Sequence, residues 1–517
     1  MQRTAGRTTA RRGDLRRPVA GVLVFGLLGL LGAALPVMAQ SERPNILFIY
    51  TDDHSYRTVS AYPEAYPWVR TPNIDRLAKE GMRFASAYIG TWCMPSRATM
   101  LTGHHQFGVE SMRMEGPYPG SAYDPEKCPF WPRVFRQNGY VTAQIGKWHT
   151  GVDTGYGRDW DFQIVWNRPK YTENHQAYYY DQPITYQGGE TRPLRRYSTD
   201  QYTDWAVDFI RGQGRDPKKP WYLWLCYGAV HSPYTPAERH RDALPGIDFD
   251  TPADIFGPRP GKPEWAQKIN HWEKGPDGTP VWSKRSLNSW VRQYHQGVLA
   301  IDEAVERLLA TLEQTGQRKN TLIVFTSDQG LAWGQHGFRG TKIAAYDANI
   351  RSPLIISFPG RIRQGALCPT PVGGVDLVPT LFRFARIGLP WSMHGHDLTP
   401  LLENPEADWP HPMLLTATGQ TFGSDTRVIP RGEGAFHAQV PWYVMIRQGR
   451  YKYVRPLIQD LEELYDLEKD PEELDNLAVK KEHRATLLRY REIAIRELRA
   501  DKAAFVDGMP PVREGMD

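Results

Sequence analysis

The sequence predicts an α/β protein: a large, mostly parallel or mixed central sheet flanked by helices, then a smaller C-terminal α+β region. Three observations predict it. Short apolar runs recur, and each ends abruptly in polar residues. The run at 45–50 precedes Thr51-Asp52-Asp53-His54, and 141–145 precedes Gly146-Lys147-Trp148-His149. Likewise 221–230 precedes His231-Ser232-Pro233, and 321–326 precedes Ser327-Asp328-Gln329-Gly330. Such runs read as buried strands. Stretches of helical character lie between them, at 73–79, 202–211 and 290–314. Strands alternating with helices imply a sheet covered on both faces, with ligands gathering where the strands end. Finally, the character changes near Leu401. The runs 442–446 and 451–454, separated by Arg447-Gln448-Gly449-Arg450, read as a β-hairpin, and a charged helix follows from about Pro471 to Arg499.

Two further segments complete the organisation. Residues 247–284 are rich in Pro, Gly and Trp without a clear period, which suggests a long loop or surface insertion. At the N-terminus, six arginines between Arg3 and Arg17 precede an apolar run at 19–37 that closes on Val37-Met38-Ala39. This is the pattern of a secretory signal cleaved after Ala39. Five glycines and prolines interrupt the run, which argues against an uncleaved anchor and against a stable membrane span after cleavage. The expected division is 1–39 signal peptide, 40–400 catalytic domain and 401–517 smaller subdomain, in an exported protein, periplasmic or secreted.

Charge and cysteine usage narrow the function classes. The leader holds six of the 63 basic and one of the 58 acidic residues, leaving 57 of each. A near-neutral mature chain gives no reason to expect nucleic-acid binding. The 17 Trp and 26 Tyr suit both clefts that stack on sugar rings and apolar cores, the core being the commoner use. Cys93, Cys128, Cys226 and Cys368 show no CxxC spacing. A disulfide among the last three stays open at this level, with Cys226 in an apolar run reading as a buried thiol.

Chemistry concentrates at the strand ends. Two adjacent carboxylates, Asp52 and Asp53, converge on one point only where a strand stops and the backbone turns, and they repel unless a cation joins them. Asp328 and Gln329 offer a second carboxylate and an amide oxygen after another strand, and oxygen donors suit Ca²⁺ or Mg²⁺. In Cys93-Met94-Pro95-Ser96-Arg97-Ala98-Thr99-Met100-Leu101-Thr102-Gly103, Pro95 and Gly103 bracket a short helix with Cys93 at its start. Free N–H groups there favour an anion, and Arg97, four residues on, shares the face.

That segment resembles the signature of the type I, formylglycine-dependent sulfatases of the alkaline-phosphatase-like superfamily. Cys93, Pro95 and Arg97 match its Cys-x-Pro-x-Arg core, and Leu101-Thr102-Gly103 its extension. The likeness runs from Asn45-Ile46-Leu47 to Glu463-Leu464-Tyr465-Asp466-Leu467. It implies hydrolysis of a sulfate ester after a formylglycine-generating enzyme has converted Cys93 to an aldehyde. By the same resemblance Asp52, Asp53, Asp328, Gln329 and the modified Cys93 hold one divalent metal, usually calcium. Gln329 stands where Asn is commonest. Lys147 and His149 match the Gly-Lys-Trp-His motif, His231 the His-x-Pro histidine, and Lys342 the lysine after His336-Gly337. The cations offset the ester's negative charge. In the mechanism that the resemblance implies, one hydroxyl of the aldehyde hydrate attacks sulfur while His231, with Lys342, protonates the leaving alcohol. His149 then helps deprotonate the second hydroxyl, which expels sulfate.

Export, aromatic content and the long segment 168–280 point to a sulfated carbohydrate as substrate. A phosphodiesterase or phosphonate monoesterase of the same superfamily is the alternative, since some also use formylglycine. A binding protein on an inactivated fold would have lost a motif position, and every one is filled.

Overall fold

The computed structural model describes residues 43–113, 122–170, 174 and 176–513; the expected signal at 1–39 lies outside them. Ten strands form the main sheet. In chain order they are β1 (Asn45–Thr51), β2 (Met82–Phe84), β3 (Val141–Lys147), β4 (Phe162–Trp166) and β5 (Gln182–Tyr186). The rest are β6 (Thr191–Leu194), β7 (Trp221–Cys226), β8 (Thr321–Ser327), β9 (Leu354–Ser357) and β10 (Ala366–Cys368). The spatial order is β10-β2-β9-β8-β1-β7-β3-β4-β5-β6. Strands β8, β1, β7, β3 and β4 run parallel at the centre, and antiparallel pairings appear outside them.

Period-two geometry explains why the central strands are apolar throughout. Ile46, Phe48 and Tyr50 of β1 enter one core, while Leu47 and Ile49 enter the other. Strands β7 and β8 divide the same way, with Trp224 and Val324 on the first side and Leu225 and Phe325 on the second. Both faces are covered, as parallel strands require. Helices α2 (Cys93–Thr102) and α5 (Gly374–Ala385) supply the first side. Helices α1 (Pro72–Lys79), α3 (Ser198–Ile210) and α4 (Leu287–Gln314) supply the second. Most tryptophans serve these cores: Trp131, Trp148, Trp160, Trp166, Trp221 and Trp224 are all fully buried.

A second, antiparallel sheet follows, β11 (Met413–Ala417), β12 (Tyr443–Gln448), β13 (Tyr451–Pro456) and β14 (Glu463–Asp466). One face packs on the C-terminal helix α6 (Arg484–Ala500) through Val444, Ile446, Leu487, Tyr490 and Ile493. The opposite face, with Met413, Leu415, Met445 and Val454, joins the first main core. Buried Lys452 of β13 ion-pairs with Asp347 at 2.8 Å and also with Glu473.

Several boundaries differ from expectation for local reasons. The run 221–230 is a strand only to Cys226, because the chain turns once the main-chain N–H groups of Tyr227 and Val230 bond back to Tyr50 and Asp52. The last helix starts at Arg484 rather than Pro471. Glu473 has φ 57 and its carboxylate accepts the Asp347 N–H, while Asn476 accepts from the Leu464 and Ala478 N–H groups. These bonds keep 471–476 out of helix, and only short 3-10 turns at Leu477–Val479 and Lys481–His483 precede α6. The expected loop at 247–284 carries a short helix, Glu264–Gln267, and a three-stranded ribbon ending at Arg285–Ser286. All four cysteines are free and buried, so the disulfide left open above is not formed.

Candidate active site

Register brings the strand-end motifs to one level. Strands β1 and β8 pair from Asn45 opposite Thr321 to Thr51 opposite Ser327, so Asp52-Asp53 and Asp328-Gln329 leave side by side. On the other side of β1, Tyr50 faces Cys226 and Cys226 faces Gly146, which places Lys147 and the chain toward His231 nearby. Adjacent residues of a strand point to opposite faces, and Asp53 escapes this by taking φ 56. That turn is held by the Asp53 N–H donating to Asp328 Oδ1 at 2.9 Å and by the Tyr294 hydroxyl donating to the Asp53 carbonyl at 2.6 Å. Helix α2 begins at Cys93 itself, so its first turn opens onto these carboxylates, and Gly103, φ 74, closes it.

The resulting contacts are dense and buried. The Cys93 thiol donates to Asp52 Oδ1 at 3.4 Å, and Lys342 Nζ lies 3.2 Å from Cys93 Sγ. Lys342 also donates to both Asp53 carboxylate oxygens, at 2.7 and 2.9 Å. The Arg97 guanidinium donates to Asp52 Oδ2 and to the Lys147 carbonyl, both at 3.1 Å. Lys147 Nζ donates to Asp52 Oδ2, and the Gln329 side-chain amide to Asp53 Oδ1. His231 Nε2 stands 3.6 Å from Asp53 Oδ2, while its Nδ1 faces the Ser232 carbonyl at 2.7 Å.

These surroundings set the protonation states. Burial, reinforced by Asp52, pushes the Cys93 thiol up to about 12 despite Lys147 and Lys342. An unmodified thiol there stays protonated at neutral pH and is a poor nucleophile. Burial opposes ionisation of Asp52 too, but Lys147, His231, Arg97 and Lys342 override it and hold that carboxyl well below the usual range. Asp328 goes the other way: burial, then the charges of Asp52 and Asp53, raise it to about 7. Burial, then Arg168 and Lys147, keeps His149 well below its ordinary value; burial and Lys342 do the same to His231.

The donor set fits a hard divalent cation. Asp328 Oδ2 is buried without a hydrogen-bond partner, and its nearest cation in the ion-pair network is Arg97 at 3.8 Å. An orphaned carboxylate oxygen beside two further carboxylates calls for a metal charge. One ligand atom each from Asp52, Asp53, Cys93 and His231 lies within 4.8 Å of the others. Gln329 Oε1 reaches the same point by a half-turn of its amide.

The sulfatase family model matches residues 44–387, most of the chain. The chain belongs to the sulfatase family. It is accordingly a sulfuric ester hydrolase, and family membership implies a metal and a formylglycine. Among this sulfatase's relatives is an N-acetylglucosamine-6-O-sulfatase of Bacteroides thetaiotaomicron, 29% identical over 90% of this chain and 88% of the relative. Another is an N-acetylglucosamine-6-sulfatase of Homo sapiens, 28% identical over 82% of this chain and 74% of the relative. A structure solved in complex with its substrate D-glucosamine-2-N,6-O-disulfate superposes with TM-score 0.76 at 26% identity, over 91% of this chain and all of that one. The phosphonate monoester hydrolase of Agrobacterium radiobacter shares the fold at TM-score 0.65 and 24% identity, covering 89% of this chain and 96% of its own.

All the residues singled out from sequence lie in or beside this cluster. His149 sits at its margin, buried, with φ 63 and the Arg168 guanidinium 3.2 Å from its Nε2. Two neighbours escaped the sequence reading. Arg168 follows strand β4, so the same strand-end rule covers it, but no motif marks it. Tyr178 stacks flat on the His231 ring at 3.9 Å and 4°, with Lys147 Nζ 5.0 Å from its ring centroid. That contact has no local signature and comes only from tertiary packing.

Proposed function

We propose that this sulfatase is an exported enzyme that removes sulfate from a sulfated carbohydrate, using Cys93 as formylglycine and one divalent cation, calcium. The observation that carries the site assignment is the convergence of Asp52, Asp53, Asp328 and Gln329 on the start of the Cys93 helix. Asp52, Asp53, Asp328, Gln329 and residue 93 would hold the cation. When present, the cation offsets the ester's charge and the hydrated aldehyde provides the oxygen nucleophile. Arg97 and Lys147 both hold Asp52 ionised and, with Lys342, line the place an anionic ester would occupy. His231 turns Nε2 to the site because its Nδ1 hydrogen is committed to Ser232. It is the group we assign to protonate the leaving alcohol as an imidazolium, a state the anionic ester favours, with Lys342 assisting. His149, kept neutral, is suited to accept the proton of the second hydroxyl.

The carbohydrate assignment is supported by the names of the relatives and by the amino-sugar complex above. Export rests on the leader pattern of residues 1–39, and no helix among the described residues is long and apolar enough to cross a membrane. We further propose 401–517 as a smaller subdomain, supported by its own sheet and apolar core. Maturation would require a formylglycine-generating enzyme. Mass spectrometry of the Cys93 peptide, with sulfate release from a panel headed by 6-O-sulfated N-acetylglucosamine, tests the proposal. Retained thiol in active enzyme, turnover of simple alkyl sulfates alone, or a preference for phosphodiesters would each overturn the corresponding part.

A further inference from the structure

Two indoles capped by an arginine on each side stand where the three-stranded ribbon meets the start of α4. The Trp282 and Trp290 rings pack with centroids 4.8 Å apart, and the Trp290 side-chain N–H donates to the Trp282 carbonyl at 3.2 Å. Arg339 lies over the Trp282 ring, its guanidinium carbon 3.4 Å from the centroid, and Arg285 lies over Trp290 at 3.9 Å. All four side chains are half-buried. Trp282 and Arg285 are cross-strand partners, and the turn between them exposes Lys284. Two links tie this stack to the active site. Arg339 opens the short strand Arg339–Thr341 and Lys342 follows directly, so the chain holds the two residues within about 10 Å. Tyr234, three residues after His231, sets its ring edge-on to Trp290 at 6.4 Å, and a Cβ at Gly340 would come within 2.5 Å of its hydroxyl.

The two arginines lack the charge that would balance them. Arg285 donates to Ser289, at 3.1 Å to its hydroxyl, and among the described residues the Arg339 guanidinium has no hydrogen bond or ion pair. Burial pushes both guanidinium pKa values down, and no carboxylate charge offsets it. The acidic residues of the ribbon, Glu273 and Asp277, are exposed and reach neither arginine. Unpaired guanidinium forks match the oxygens of a carboxylate or a sulfate, and the indoles between them offer apolar faces on which a sugar ring packs.

We propose that Arg339 and Arg285, with Trp282 and Trp290, form a subsite for a second anionic group, a carboxylate or sulfate on the sugar next to the one whose ester is cleaved. This rests on the carbohydrate reading above and makes the substrate a multiply charged oligosaccharide. The subsite acts on binding, and its contribution weakens as salt screens the charges.

The test compares kcat/KM for three disaccharides of 6-O-sulfated N-acetylglucosamine, with a small aryl sulfate as reference. The neighbouring sugar is a uronate, its carboxyl-reduced counterpart, or a sulfated form of that counterpart. A charged neighbour should be preferred about tenfold, the worth of one charge-assisted bond, through KM and only at low salt. Which charged disaccharide is preferred identifies the anion. Arg339→Gln and Arg285→Gln should each remove most of the preference and leave the aryl sulfate and the neutral disaccharide within about twofold of wild type. Equal kcat/KM for charged and neutral disaccharides, or both variants losing activity on every substrate alike, overturns the proposal and leaves the carbohydrate reading standing. Should Arg339→Gln alone depress every substrate, Arg285→Gln decides. Should no disaccharide be turned over, the carbohydrate reading falls and inhibition of aryl sulfate hydrolysis judges the subsite. Stronger inhibition by the charged disaccharides in wild type, lost in the variants, upholds it, and equal inhibition by charged and neutral ones overturns it.

Discussion

Replacing Lys342 by alanine separates the residue's structural from its proposed catalytic contribution. Its ammonium makes two charge-assisted bonds to Asp53, at 2.7 and 2.9 Å, and its side chain is 18% exposed. Such bonds contribute about 1.5–3 kcal/mol each, and two on one carboxylate do not add fully, so the loss of stability is about 3 kcal/mol. An unfolding entropy of about 2.1 cal/mol/K per residue, over a chain of this length, converts that to only about 3 °C in melting temperature. Calcium on the same carboxylate makes the shift smaller still. The loss of a cation beside a reacting sulfate is larger in effect: removing one such stabilising group costs about 2.7–4 kcal/mol, or 10²–10³ in rate. The assay is kcat/KM for sulfate release from an aryl sulfate, with intact mass to verify conversion of Cys93. Lys342→Arg, which keeps the charge, should recover part of the loss. A folded, aldehyde-bearing Lys342→Ala enzyme within tenfold of wild type would refute the assigned role.

Other perturbations follow from the same geometry. Chelation should abolish activity and added Ca²⁺ restore it, and Asp328→Asn should require at least tenfold more Ca²⁺ for half-recovery; equal requirements would remove Asp328 from the ligand set. Lys452→Met strands Glu473 as a buried carboxylate and leaves Asp347 with Arg351 as its remaining cation, and should cost about 3–5 kcal/mol, read as a lowered unfolding midpoint in urea. Asp302 accepts the main-chain N–H groups of Asn73 and Ile74, but burial raises its carboxyl to about 6. The fold therefore binds that proton more tightly than the unfolded chain does. The associated stability, about 3 kcal/mol, is complete below pH ~3.8 and lost as pH climbs through 6. In Asp302→Asn this decline in stability between pH 4 and 6 should vanish from denaturation curves.

Much of the architecture follows from the sequence alone, because its signals are local. Central parallel strands are buried on both faces and so read as unbroken apolar runs, and the break to Asp52, Lys147 or Asp328 marks where each strand leaves the sheet. The helix at Cys93 was equally legible, since Pro95 and Gly103 act within one turn of its ends. What local patterning does not encode is who meets whom. Strand order, the left-handed turn at Asp53 and the arrival of Lys342 between Asp53 and Cys93 depend on pairings across hundreds of residues. The same holds for Tyr178 over His231 and for Arg168 against His149. The C-terminal helix began later than its charged pattern suggested because the buried Glu473 and Asn476 bonds outcompete helical ones. Strand-end carboxylates pointed to a metal site and the helix start at Cys93 to an anion, while the formylglycine chemistry came from the resemblance to the sulfatase signature. The mutual distances that turn buried carboxylates and a high-pKa thiol into one site were decided only when the sheet assembled.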